Sequence, residues 1–196
     1  MKKKKVHAML MVSSLLLGTQ ALASGEDPAM LAHTCAGCHG TLGASAGDSM
    51  PIIGGQPKAF LVQTMKNYRD GKRHSTIMKR LAKGYDDAQI DAMADFISKQ
   101  SWVSANEKTD AKHVEHGKKQ HTAKGCAGCH GATGVAPAPN TPRLAGQYSE
   151  YLHLQMKDYL NDKLTIPASA SVMRGMLKGV SDDDIRALAE FYASNK

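Results

Sequence analysis

The chain has 196 residues, 25 of them lysine or arginine against 18 acidic, for a formal charge of +7. Four of the cations are the consecutive Lys2, Lys3, Lys4 and Lys5. Without them 21 basic residues face 18 acidic ones, a charge of +3 that makes no case for nucleic-acid binding. Aromatic residues are only 5% of the chain, too few to fill two cores of about 80 residues each unless something else adds apolar mass.

Residues 1–23 read as a secretory leader: the lysine run, an apolar stretch from Ala8 to Leu17, and Ala21-Leu22-Ala23 before a cut after Ala23. The apolar stretch is too short for an anchor, and no later segment approaches the length a bilayer demands. The expected product is residues 24–196, exported to the periplasm without a membrane span.

A short helix is expected around Ala29 to Cys35, leading into Cys35-Ala36-Gly37-Cys38-His39. Beyond a turn beginning at Pro51, the residues Phe60, Leu61, Met65 and Tyr68 share one helix face. Asp86 with Gln89 three positions on marks the start of a last helix carrying Ile90, Met93, Ala94 and Ile97. The polar stretch 103–110 reads as a linker, separating a domain of residues 24–102 from one of residues 111–196.

The second half repeats the first. An offset of 91 pairs Cys35 with Cys126, Gly40 with Gly131, Pro51 with Pro142, Gln56 with Gln147, Phe60 with Tyr151, Met65 with Met156 and Tyr68 with Tyr159. The offset becomes 95 for Met78 with Met173 and Ile90 with Ile185, placing four extra residues near Thr165 to Ser171. Helices are therefore expected again from Ala111 to Cys126, through Tyr151 to Tyr159, and after a Ser181 cap with Asp184 three positions on. Strand-like alternation is absent, so the chain reads as an all-α duplicated domain.

Cys126-Ala127-Gly128-Cys129-His130 is the second copy of the motif, and the two copies use all four cysteines. Two thiols three positions apart can each add to one vinyl group of a haem, and the next imidazole can bind its iron. A zinc site would need scattered histidines, because the Cys pairs lie most of a domain apart. A thioredoxin-like pair would need a βαβ setting, and a disulfide framework would leave the two histidines unexplained.

His39 and His130 then supply one axial ligand each. Met78 and Met173 lead for the opposite position: they recur across the repeat, each eight residues before the cap of the last helix, in a stretch expected to be irregular. Met65 and Met156 also recur but fall on a helix face, where methionine is usually a core filler. His33, His74, His113, His116, His121 and His153 do not pair across the repeat. Bis-histidine ligation and an open distal site are the remaining alternatives. Pro51 and Pro142 could each present a carbonyl to the second ring nitrogen of the haem histidine, or could simply form a turn.

The order Cys-x-x-Cys-His, Gly-x-x-Gly, Pro-x-x-x-Gly-Gln and a late Met before the terminal helix resembles class I cytochromes c, doubled. The run from Ser75 to Tyr85, with Cys35 to Thr41, resembles the cytochrome subunit of flavocytochrome c sulfide dehydrogenase. That resemblance implies two tandem class I cytochrome c domains, each wrapped around one covalent haem c. It implies attachment at Cys35, Cys38, Cys126 and Cys129 and ligation by His39, Met78, His130 and Met173. It further implies a flavoprotein partner that carries FAD on its own chain, oxidises sulfide and passes electrons to these haems, which relay them to a soluble cytochrome or other acceptor. The chain would then be an electron-transfer subunit, not catalytic alone. A free dihaem shuttle feeding a terminal oxidase and a dihaem peroxidase are the alternatives.

Overall fold

The computed structural model describes residues 27–196; the expected leader lies outside the described residues. All regular structure among them is helical. The first half holds α1 (Pro28–His33), α2 (Ala36–His39), α3 (Lys58–Arg69), α4 (Met78–Leu81) and α5 (Asp87–Ser98). The second holds α6 (Ala111–Ala123), α7 (Ala127–His130), α8 (Ser149–Leu160), α9 (Ser171–Leu177) and α10 (Asp182–Ser194). Single 3-10 turns at Thr41–Gly43, Ala82–Gly84 and Ala168–Ala170 join some of them.

Both expected capping boxes form. Asp86 Oδ1 accepts from Gln89 N at 2.8 Å while Gln89 Oε1 accepts from Asp86 N at 3.0 Å. Ser181 Oγ accepts from Asp184 N at 3.1 Å, and Asp184 Oδ2 accepts from Ser181 N at 3.4 Å. Each box satisfies two otherwise orphaned amides and is worth about 1 kcal/mol. Each therefore fixes where the last helix of its half begins.

These last helices form the spine of each core. Ile90, Met93, Ala94 and Ile97 are buried along α5, and Ile185, Leu188, Ala189 and Tyr192 along α10. In the second half α10 packs with Leu152 and Met156 of α8 and with Leu177 and Val180, while Leu144, Tyr151, Tyr159 and Met173 fill its margin. The first core is thinner: Ala32, Leu61, Ala94 and Ile97, flanked by Cys35, Ile53, Val62 and Phe96. The 13-residue α6 crosses α10 through Gly117, where an added Cβ would lie 2.0 Å from the carbonyl oxygen of Ala187. Only a residue without a side chain lets the two backbones come this close.

The stretch 103–110, expected as a linker, is not free of the halves it joins. Ala105 is buried and donates its amide to Gly146 O at 2.7 Å, and Glu107 Oε1 accepts from Ser149 N at 2.7 Å. Just before it, Trp102 lies under the Arg143 guanidinium at 4.9 Å. The halves also bond directly: Tyr148 donates its hydroxyl to Ser45 O, Tyr151 N donates to Asp48 O, and His74 N donates to Thr165 O. Thr165 lies at the edge of the stretch in which the second half carries its extra residues.

Candidate functional site

Each Cys-x-x-Cys-His motif is a single helical turn. Cys35 and Cys126 sit at the N-caps of α2 and α7, three residues from Cys38 and Cys129, and the histidines close the helices. The chain then reverses at Gly40 and Gly131, whose φ angles are +73° and +70°. A Cβ there would lie 2.2 Å from the carbonyl oxygens of Ala44 and Val135. Glycine is required at both reversals. Cys35 and Cys126 are half-buried and Cys38 and Cys129 exposed. Burial pushes the Cys35 and Cys126 thiols up from their ordinary value. Among the described residues no group of three or more His, Cys, Asp or Glu converges as a metal site.

The motif histidines point inward. His39 and His130 are buried, and burial lowers the pKa of both, with His121 a second cause at His130. Both are thereby held neutral, the form that can bind a metal. His39 Nδ1 donates to Pro51 O at 2.8 Å, which puts the ring proton on that nitrogen and leaves the Nε2 lone pair free. The rigid-turn reading of Pro51 thus becomes a bond; at Pro142 it does not, since His130 Nδ1 is buried without a partner.

His130 Nε2 instead approaches Met173 Sδ at 3.5 Å. Met173 is the third residue of α9, a short helix where an irregular stretch was expected, and its neighbour Arg174 fastens that helix down. The Arg174 guanidinium donates to the carbonyl oxygens of Tyr159 at 2.6 Å and Asn161 at 3.1 Å. Met78 likewise begins a helix, α4, and its amide donates to Ser75 Oγ at 2.9 Å. Met78 is half-buried, and among the described residues ring nitrogen and sulfur come together only in the second half. Met156 is a core residue of the second half, and Met65 is half-buried on α3.

Three residues around the site were not singled out by the sequence. His121 is fully interior, bonded through Nδ1 to the Tyr192 hydroxyl at 2.9 Å and set against Phe191, although it has no partner across the repeat. Tyr192 in turn lies 6.4 Å from the His130 ring, so it shapes that pocket. Arg73, 6% exposed, lies between the halves, over the Tyr68 ring of α3 and bonded to Thr64 and to Gln155 of α8. Its Nε has no partner, and none of the carboxylates in the described ion pairs faces it. A buried cation calls for an anion. The carboxylate side chains of a haem are the right chemistry for that place, and a neutral imidazole opposite a thioether, as at His130 and Met173, is right for its iron. The residues present therefore fit the group.

A helical fold repeated twice, each copy carrying a thiol pair and a buried, neutral imidazole, is that of a c-type cytochrome. The cytochrome c family profile matches residues 28–101 and again 114–196, and the chain belongs to that family. With two motifs it is a dihaem protein that binds haem c covalently and transfers electrons. It is 30% identical over 193 residues to cytochrome c4 of Pseudomonas aeruginosa, covering 93% of this chain and 96% of that one. It is 28% identical to the thiosulfate dehydrogenase electron acceptor of Stutzerimonas stutzeri, over 97% of this chain and 96% of the other. Its fold superposes on the reduced recombinant cytochrome c4 of Pseudomonas stutzeri with a TM-score of 0.77 at 23% identity, over 88% of this chain and all of that one.

Proposed function

We propose that this chain is a free electron carrier of the periplasm, with His39 and Met78 holding one haem iron and His130 and Met173 the other. Cys35, Cys38, Cys126 and Cys129 form the thioether links, and residues 24–102 and 111–196 are the two haem domains joined by residues 103–110. The observation that carries this reading is the meeting of His130 Nε2 and Met173 Sδ at 3.5 Å, each delivered by a separately anchored element. When bound, haem c supplies a one-electron couple, and a methionine ligand raises its potential.

The residues do the rest. His39 keeps its metal-facing lone pair through the bond to Pro51, and α7 and α9 hold His130 and Met173 face to face. Arg73 offers a buried cation to the haem carboxylates. A histidine and a methionine at each iron would leave no coordination position for a substrate, which disfavours the dihaem peroxidase. All four thiols are committed to attachment, so none remains to attack sulfur.

The relatives support a free carrier over the flavoprotein-bound subunit suggested by the first-half motif: of two relatives matched over nearly their whole length, one is by name the electron acceptor of a thiosulfate dehydrogenase and the other is a cytochrome c4. The electron donor we propose is an enzyme that oxidises thiosulfate, and the acceptor is a soluble cytochrome or a terminal oxidase. The test mixes the ferric holoprotein with a thiosulfate dehydrogenase and thiosulfate. Reduction of both haems supports the reading. Isolation of the native protein with a stoichiometric flavin-bearing chain, reduced by sulfide and inert to the thiosulfate system, would overturn it.

A further inference from the structure

Gln56 and Gln147 are repeat partners, and each is almost fully buried. Each crosses to the other half and takes both polar atoms of one residue. Gln147 Oε1 accepts from Ile52 N and its Nε2 donates to Ile52 O, both at 2.9 Å. Gln56 Oε1 accepts from Arg143 N and its Nε2 donates to Arg143 O, again at 2.9 Å. Ile52 and Arg143 are themselves 91 positions apart, the residues that follow Pro51 and Pro142. Four matched bonds thus clasp the halves about a pseudo-twofold arrangement.

The clasp reaches further on one side. The amide joining Pro51 to Ile52 gives its N–H to Gln147 and receives at its C=O the proton of His39 Nδ1. The two ends of one peptide group are conjugated, so donation from its N–H enriches its oxygen and strengthens the bond that oxygen accepts. On the other side the relay stops, because His130 Nδ1 has no partner.

We propose that Gln147, a residue of the second half, is a positioning residue for His39 in the first, acting through the Pro51–Ile52 peptide to make that imidazole more electron-rich. A richer imidazole favours the ferric state, so Gln147 lowers the potential of the first centre and helps to separate it from the second. This rests on the assignment of His39 as an iron ligand.

The test compares Gln147→Leu, Gln56→Leu and Tyr148→Phe holoproteins by potentiometric titration and by amide hydrogen exchange. Gln147→Leu is expected to expose the Ile52 amide to exchange and to raise one potential while the other stays. Gln56→Leu, which breaks an equal clasp with no histidine at its end, is expected to deprotect Arg143 without that shift, and Tyr148→Phe, which only removes the bond to Ser45, is expected to move neither. Equal shifts in both glutamine variants, or a deprotected Ile52 with unmoved potentials, would overturn the proposal. Should Gln147→Leu fail to accumulate, the unaltered protein decides: by reciprocity the Ile52 amide must exchange more slowly in the ferric than in the ferrous state, and equal rates would overturn the relay. The ligand assignment fails separately, by an unchanged low-spin spectrum in His39→Ala.

Discussion

At the scale of the residue, the histidines and cysteines were legible because their chemistry demands fixed spacing, and the spacing is written in the chain. Met173 was singled out for a different reason: only a repeat comparison picks it from 11 methionines, and its sulfur lies 3.5 Å from His130 Nε2. Met173→Ala should abolish the sulfur-to-iron charge-transfer absorption of one haem and lower its potential, both read by spectroelectrochemistry; an unchanged band would remove Met173 from the iron. Arg73 was not legible, since nothing in sequence tells a buried arginine from a solvated one. Its burial arises where the turn after α3 meets α8, through a contact between Arg73 and Gln155, 82 positions apart. Arg73→Gln removes the buried cation that we propose pairs with haem carboxylates and should lower at least one potential, measured by the same titration; no shift in either would separate Arg73 from the haems.

At the scale of the element, the helix starts were readable where capping chemistry is local. Asp86 with Gln89 and Ser181 with Asp184 place α5 and α10 without any knowledge of the fold. What could not be read was the tertiary consequence, such as Gly117 lying against Ala187. Gly117→Ala forces α6 and α10 apart and should destabilise the second half by about 1–3 kcal/mol in denaturant unfolding; an unchanged midpoint would show that the crossing yields freely.

The start of α10 also contributes to the acid sensitivity of that half, as does Asp110 at the start of α6. Asp184 is held below the ordinary carboxylate value first by the Ser181 hydroxyl and then by His116, and Asp182 first by Lys157 and then by His153. A depressed carboxyl contributes stability that is complete above its unfolded value and is lost as pH falls through the folded one. The second half should therefore weaken as pH drops below about 4, the ordinary carboxylate value. Asp184→Asn should lower stability near neutrality and flatten that acid slope, measured by urea unfolding at several pH values; an unaltered slope would assign the acid sensitivity elsewhere.

At the scale of the molecule, the duplication was plain in the offset of 91, but the way the halves meet was not. Gln56 and Gln147 appeared only as part of a recurring Gly-Gln string, and a glutamine's partner across a domain interface leaves no mark on its own neighbourhood. The stretch 103–110 read as a linker from its polarity, yet Ala105 and Glu107 tie it to the second half, because the backbone groups of a segment lying between two surfaces must find partners there. The same clasps that hide these residues from sequence reading join two haem sites into one carrier. The most direct measurement is a potentiometric titration of the purified holoprotein that follows the sulfur-to-iron absorption of the ferric state. Two one-electron steps, each removing an equal share of that band, are predicted; a band belonging to one iron only would contradict the account of two closed histidine–methionine sites.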